Sequence, residues 1–228
     1  MSRPRVKAAL ALLLLVPVPS FGVASALWWF PGSAGGAFLF TACKVWLLLF
    51  PLAWWRLVEG GALSFRMARV SGLTAGALSG LVISLVILGA FFLGGAQLVS
   101  RPHLAARLAA FGLDRLWRYA AGAAYWILVN SLLEEYVWRW FCTRQCEVIW
   151  SRPAAIALSA VFFALHHAVA LSAYMTPGPV LLCSAGIAVG GALWSWLYLR
   201  YRTIWPGYVS HVLVDLAVFA AGAWVLFS

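Results

Sequence analysis

The sequence predicts an all-α, polytopic membrane helical bundle of about seven transmembrane helices, with one further helix lying in the interface. Three observations predict it. Hydrophobic residues make up 64% of the 228 and charged residues only 10%, with a mean hydropathy of +0.94. Several apolar runs reach the roughly 18 residues a helix needs to cross the hydrocarbon layer, more than a water-soluble fold of this size could bury. The acidic residues number only six, yet Glu134, Glu135 and Asp215 fall inside apolar spans, where an ionisable group is costly and marks function.

The formal charge of +10 does not point to nucleic acid. The arginines are strung singly or in small groups between apolar runs, as topology signals at a bilayer surface are. Cys43, Cys142, Cys146 and Cys183 form no secreted disulfide framework. Cys142 and Cys146, one helical turn apart, are read as structural thiols rather than as metal ligands.

The first element carries Arg3, Arg5 and Lys7, then the apolar run from Ala8 to Pro17 and the Ala24-Ser25-Ala26 stretch. Those are the parts of a cleavable signal peptide, but the run extends past the usual signal length to Trp28 and Trp29, so a first transmembrane helix is preferred. A second span is expected from Ala37 to Trp55, with Lys44 inside it and Trp54-Trp55-Arg56 at an interface. A loop with Glu59, Arg66 and Arg69 leads to a third span from Gly72 to Val99. There Gly72, Gly76 and Gly80 line one face with small residues and let a neighbouring backbone approach.

Residues 100–118 are less apolar and suit a helix in the interface plane; His103 is read as a surface histidine. The fourth span is expected from Tyr119 to Phe141. The fifth, from Ala154 to Tyr174, starts behind Pro153, which suits a first helical turn, and ends at the turn Thr176-Pro177-Gly178-Pro179. The sixth, from Val180 to Leu199, has Gly186, Gly190, Gly191 and Ser195 as a close-packing face. The seventh, from Ile204 to Phe227, opens with Trp205-Pro206-Gly207. With seven spans, the N-terminus and the loops at 56–70, 142–152 and 200–203 share one side, all net positive, so that side is expected to be cytoplasmic. The basic 100–118 segment falls on the other. No repeat and no soluble domain is visible, so residues 1–228 are taken as one integral-membrane domain.

The chemistry sits in the spans. On the fourth helix Ser131, Glu134, Glu135 and Trp138 form one stripe, and Arg139 stands one turn beyond Glu135. A Glu135–Arg139 pair neutralises one carboxylate and leaves Glu134 for other work. A packing pair needs a single acid, and the second would be an unpaired charge. On the seventh helix His211 and Asp215 share a face, so the carboxylate can hold the imidazole's tautomer. On the fifth, one of His166 and His167 faces the same interior. Two carboxylates and several imidazoles without a well-placed nucleophile suggest water activation by a glutamate general base. The alternative is a metal such as Zn2+ held by His167, His211 and Glu134, with water at an open position. There is no His-Glu-x2-His, so the soluble zinc-protease helix is absent.

The succession Glu134-Glu135-x3-Arg139, Phe163-x3-His167 and His211-x3-Asp215, each on its own span, resembles the CAAX-protease and bacteriocin-processing (CPBP) family of intramembrane proteases, whose eukaryotic relatives are the type II CAAX prenyl endopeptidases. The likeness covers residues 119–220, the expected catalytic core, and includes Arg202-Thr203-Ile204-Trp205-Pro206. It implies an intramembrane endopeptidase acting on a membrane protein or peptide, in the bilayer, with Glu134 activating water. Glu135 with Arg139 would be its structural partner, His167 a water or metal contact, and His211 with Asp215 would complete the site. The family often has Asn where this chain has Asp215. His166 rivals His167, which is chosen because a small residue, Ala164, follows Phe163. The expected location is a bacterial inner membrane with the N-terminus in the cytoplasm. Two rival functions are a proton-coupled transporter, which would show Gly/Pro-broken spans in matching halves, and a non-catalytic scaffold of the same family.

Overall fold

The computed structural model describes residues 2–61 and 70–228; Arg66 and Arg69 lie outside them. The described residues form helices and no strand. Along the chain these are α1 (Arg3–Trp29), α2 (Ala34–Val58), α3 (Val70–Phe92), α4 (Arg101–Ala109), α5 (residues 116–149), α6 (Arg152–Leu171), α7 (Pro177–Tyr201) and α8 (Trp205–Phe227). Proline occupies the first turn of α1, α4, α6, α7 and α8, where its missing N–H costs nothing and its fixed φ favours the helix. Ser33 caps α2 by accepting from the Gly36 amide at 3.0 Å, satisfying one of the orphan donors of the first turn.

Six helices among the described residues are long and apolar enough to cross a membrane: α1, α2, α3, α6, α7 and α8. That is one fewer than the seven expected. The expected fourth span is α5, whose acids and arginine lower its apolarity. It is also longer than expected, running on through Arg144 to Ile149 instead of stopping at Phe141. The third span is shorter than expected. It ends at Phe92, where Gly94 adopts φ 155° and a short 3₁₀ turn over Gly95–Leu98 follows.

Side chains at the helix ends sort the helices into two ends of the bundle. At one, Lys7 donates to the Val58 carbonyl (2.8 Å), Arg144 and Gln145 reach Glu59 (2.7 and 2.6 Å), and Arg202 reaches Glu147 (2.7 Å). The bond to Glu147 holds the Arg202 guanidinium above its ordinary pKa, because it favours the charged form. At the other end Arg101 donates to the Leu226 carbonyl (3.2 Å), while His103 and Arg107 donate to that of Ala173 (3.0 and 3.2 Å). Helix α4 thus lies opposite the N-terminus, and its basic side chains answer the orphan carbonyls of α6 and α8.

The core draws on six helices besides α3: Leu12 and Leu15 of α1, Phe50 of α2, Trp138, Phe141 and Cys142 of α5, Phe163 of α6, Trp194 and Leu197 of α7, and Val214 of α8. Cys142 and Cys146 are wholly buried in it. Small residues set two close approaches. A Cβ on Gly76 would overlap the Pro206 carbonyl and one on Gly80 the Ser210 backbone, so α3 and α8 meet backbone to backbone. The α7 face differs from expectation: Gly186 and Gly190 meet no neighbouring helix, whereas Gly191 packs on Ala160 and Phe163. Ser195, one turn on, places its hydroxyl 3.2 Å from that of Thr143.

Candidate active site

Helix α5 is wound unusually. Two stretches, Tyr125–Asn130 and Glu135–Thr143, are π-helical, a form frequent at functional sites and rare elsewhere. The wider turn brings the Ser131 hydroxyl within 3.1 Å of the Trp126 carbonyl and lets that of Thr143 donate to Trp138 (2.8 Å), each five residues back.

Helices α5 and α6 form a hairpin about Trp150 and Ser151. Glu134 stands sixteen residues before Trp150 and His166 sixteen after it, so the two face each other at one depth. Ending α5 at Phe141 would leave His167 about two turns deeper than Glu134. The continuation to Ile149 removes that mismatch, since both arms rise at similar rates.

The resulting cluster joins three helices. His166 Nε2 lies 3.5 Å from Glu134 Oε1 and His211 Nε2 3.6 Å from Glu134 Oε2. His211 Nδ1 is 3.1 Å from Glu135 Oε1, and its Nε2 is 3.7 Å from Asp215 Oδ1. Arg139 Nε stands 3.4 Å from Glu135 Oε1 with both side chains fully buried. The guanidinium also lies against the rings of Phe163 and Trp194, 4.6 and 5.4 Å from their centroids, so ring quadrupoles share in holding a charge that water cannot reach. Asp215 accepts from the Ser131 hydroxyl at 2.6 Å.

Rings fix the imidazoles. Trp194 stacks on His211 at 4.0 Å and donates its Nε1–H to Ser210 (2.9 Å). Trp138 lies parallel to His166 at 5.4 Å. His167 Nδ1 is 3.0 Å from the Phe163 carbonyl. A carbonyl only accepts, so Nδ1 carries the proton and a neutral His167 presents a lone pair at Nε2. A Cβ on Gly207 would overlap Glu135 Oε2, so α8 comes as close as it does to that carboxylate because residue 207 is glycine.

The structure therefore brings Glu134, Glu135, Arg139, His167, His211 and Asp215 into one cluster, with His166 beside Glu134 as well. The ligand set that could share an ion is not the one expected. Among the described residues it is Glu134, His166 and His167, with donor atoms within 4.8 Å of one another. His211 is engaged by Glu135 instead.

Two residues not counted in the site by sequence also reach it. Lys44 of α2 donates to Asn130 Oδ1 at 2.5 Å, and with Glu134, Trp138 and His166 it lines a cavity of about 30 Å³, room for about one water. Their rarity was the available signal: Asn130 is the only asparagine of the chain and Lys44 one of two lysines.

Residues 115–217 match the family model described as type II CAAX prenyl endopeptidase Rce1-like. No curated protein and no solved structure matches the chain. The matched segment runs from just before α5 to the middle of α8 and contains every clustered acid, histidine and arginine named above, but not Lys44. Over that segment the chain is similar to the type II CAAX prenyl endopeptidase, Rce1-like family, which supports a membrane protease of the CPBP family.

Proposed function

We propose that the protein is an intramembrane endopeptidase in which Glu134 activates water to cleave a peptide bond of a membrane-associated protein or peptide. The observation that carries this is Glu134 itself: a buried carboxylate within 3.6 Å of imidazoles from two other helices, bordering a water-sized cavity. Arg139 answers Glu135, which leaves Glu134 as the base. In the attack, a water proton passes to Glu134 while the oxygen adds to the scissile carbonyl carbon. Glu134 then returns the proton to the leaving amine as the C–N bond breaks. His166 and His211 hold the carboxylate, and Glu135 and Asp215 hold His211. The lone pair of His167 Nε2 orients the water.

The donor set of one carboxylate and two imidazoles also suits Zn2+. If the activator is a metal, Glu134, His166 and His167 hold it, and it supplies Lewis acidity to the water. Helices α5 to α8 are the catalytic unit, and the location we propose is a bacterial inner membrane with the N-terminus and the Lys7–Val58 end of the bundle in the cytoplasm, because that end carries the basic loops.

The test compares membrane proteins of cells carrying the wild type and Glu134→Gln. A substrate that stays full-length only in the mutant is the expected result, with processing reduced at least about a thousandfold, on the scale of losing an essential base. Equal processing in both strains discards the protease reading. Metal content of the purified protein separates the two activators: stoichiometric zinc, lost in His167→Ala, establishes the metal.

A further inference from the structure

Lys44 is the charge in the bundle that the proposed chemistry does not yet use. It sits near the middle of α2, whose one other charge is Arg56 at its end. The one hydrogen bond it makes among the described residues goes to a neutral amide oxygen, Asn130 Oδ1, at 2.5 Å, and no carboxylate lies within salt-bridge distance. Two rings stand near it, Trp126 at 5.0 Å and Phe40 at 5.6 Å from the ammonium. An ammonium in a low-dielectric interior needs a counter-charge, and these partners offer dipoles and quadrupoles only. The counter-charge at rest is the Glu134 carboxylate across the cavity they share, and that charge leaves Glu134 when the carboxylate takes up the water proton.

The cavity says where the next negative charge arises. Lys44 and His166 border, with Glu134, a space of about 30 Å³, enough for about one water and far too small for a peptide. Groups on its wall therefore face the water that Glu134 activates, whose oxygen becomes part of the tetrahedral intermediate. When water adds to the scissile carbonyl, its proton goes to Glu134 and the C=O electron pair moves onto oxygen. That new anion forms where protein donors count most. Asp215, by contrast, accepts from Ser131 and has no proton to offer as a carboxylate.

The geometry points to Lys44, held by Asn130, as the cation that stabilises the oxyanion of the tetrahedral intermediate, which makes it a further catalytic residue supplied by α2 from outside the family-matched segment. The inference rests on the protease reading above. Collapse of the intermediate breaks the C–N bond, and Glu134 gives its proton to the amine. Lys44 keeps its protons throughout and acts by charge alone.

The substrate that accumulates in the Glu134→Gln strain serves as the probe, with kinetics measured on the full chain in detergent. Lys44→Met is expected to lower kcat about 100-fold, the scale of one lost oxyanion donor, with KM changed less than about threefold, as for an interaction made only in the transition state. Lys44→Gln keeps a donor for Asn130 but no charge, and it is expected to be nearly as slow. Lys44→Arg is expected to recover most of the rate. A lysine that merely ties α2 to α5 would be replaced by glutamine without loss, so a Lys44→Gln enzyme with near wild-type kcat overturns the assignment even if Lys44→Met does not fold. A rise in KM with kcat unchanged also overturns it, in favour of substrate binding. If Glu134→Gln is inactive and the Lys44 variants are not, the protease reading stands alone. If Glu134→Gln processes normally, both fall.

Discussion

The two faces of α8 are built on opposite principles. Towards α3 the helix presents backbone: the Pro206 carbonyl and the Ser210 backbone meet Gly76 and Gly80, seconded by the Ser79–Ser210 (3.2 Å) and Ser84–Leu213 (2.9 Å) hydrogen bonds. Towards α5 it presents His211 and Asp215 to Glu134, Glu135 and Ser131. The first face fixes distance by steric contact and carries no charge. The second sets its own distance to α5, since Gly207 leaves just enough room for the Glu135 carboxylate. Ser210 lies at the seam, taking hydrogen bonds from Ser79 and from Trp194, the ring stacked on His211.

If the faces differ in this way, substitutions on each will fail differently. Among substitutions on these two faces, Gly207→Ala has the largest expected effect on activity. Its methyl group displaces a carboxylate pinned by Arg139 and His211, so turnover falls by at least about tenfold, the order of loss from misplacing a catalytic constellation by an ångström, while the melting temperature in detergent falls less. Gly76→Leu reverses the order. It forces α3 off α8 and costs about 1–3 kcal/mol of stability by overpacking, and the folded fraction that remains keeps near-normal turnover. Equal losses of turnover per folded molecule in the two variants would erase the distinction. The smallest effect belongs to Arg202→Gly at the bundle's end. Arg202 has φ 54°, a left-handed conformation that costs a side-chain residue about 1 kcal/mol, and its pair with Glu147 is exposed and worth about 0–1 kcal/mol. The two nearly cancel, so a stability change within about 1 kcal/mol is expected by thermal denaturation.

What could be read in advance follows from the range of the interactions. The apolar runs and the i,i+4 relations of Glu135 with Arg139 and of His211 with Asp215 are local, and helical periodicity exposes them. So is the Gly72, Gly76, Gly80 face. The equivalent reading of Gly186 and Gly190 failed because spacing shows that a face is smooth and not that another helix lies on it. The extent of α5 was hidden by Arg144 and Glu147, which look like a loop but are anchored by Glu59 and Arg202 across the bundle. The ion-sharing set of Glu134, His166 and His167 depends on how side chains on separate helices converge, and so does the approach of Lys44 to Asn130. Neighbouring imidazoles about 100° apart on an ideal helix gave no reason to expect both beside Glu134, nor does any residue advertise the π turns of α5.

The equal arms of the α5–α6 hairpin imply that the site is defined by counting as well as by chemistry. Glu134 and His166 are paired across Trp150 by the number of residues between them, so that interval is an indel-intolerant ruler. One residue inserted in either arm slides its partner by about 1.5 Å and turns it by about 100°, sending the imidazole away from the carboxylate with every side chain of the cluster still present. A second insertion in the other arm would restore the common depth but not the pairing, because it turns its own side chain by about 100° as well.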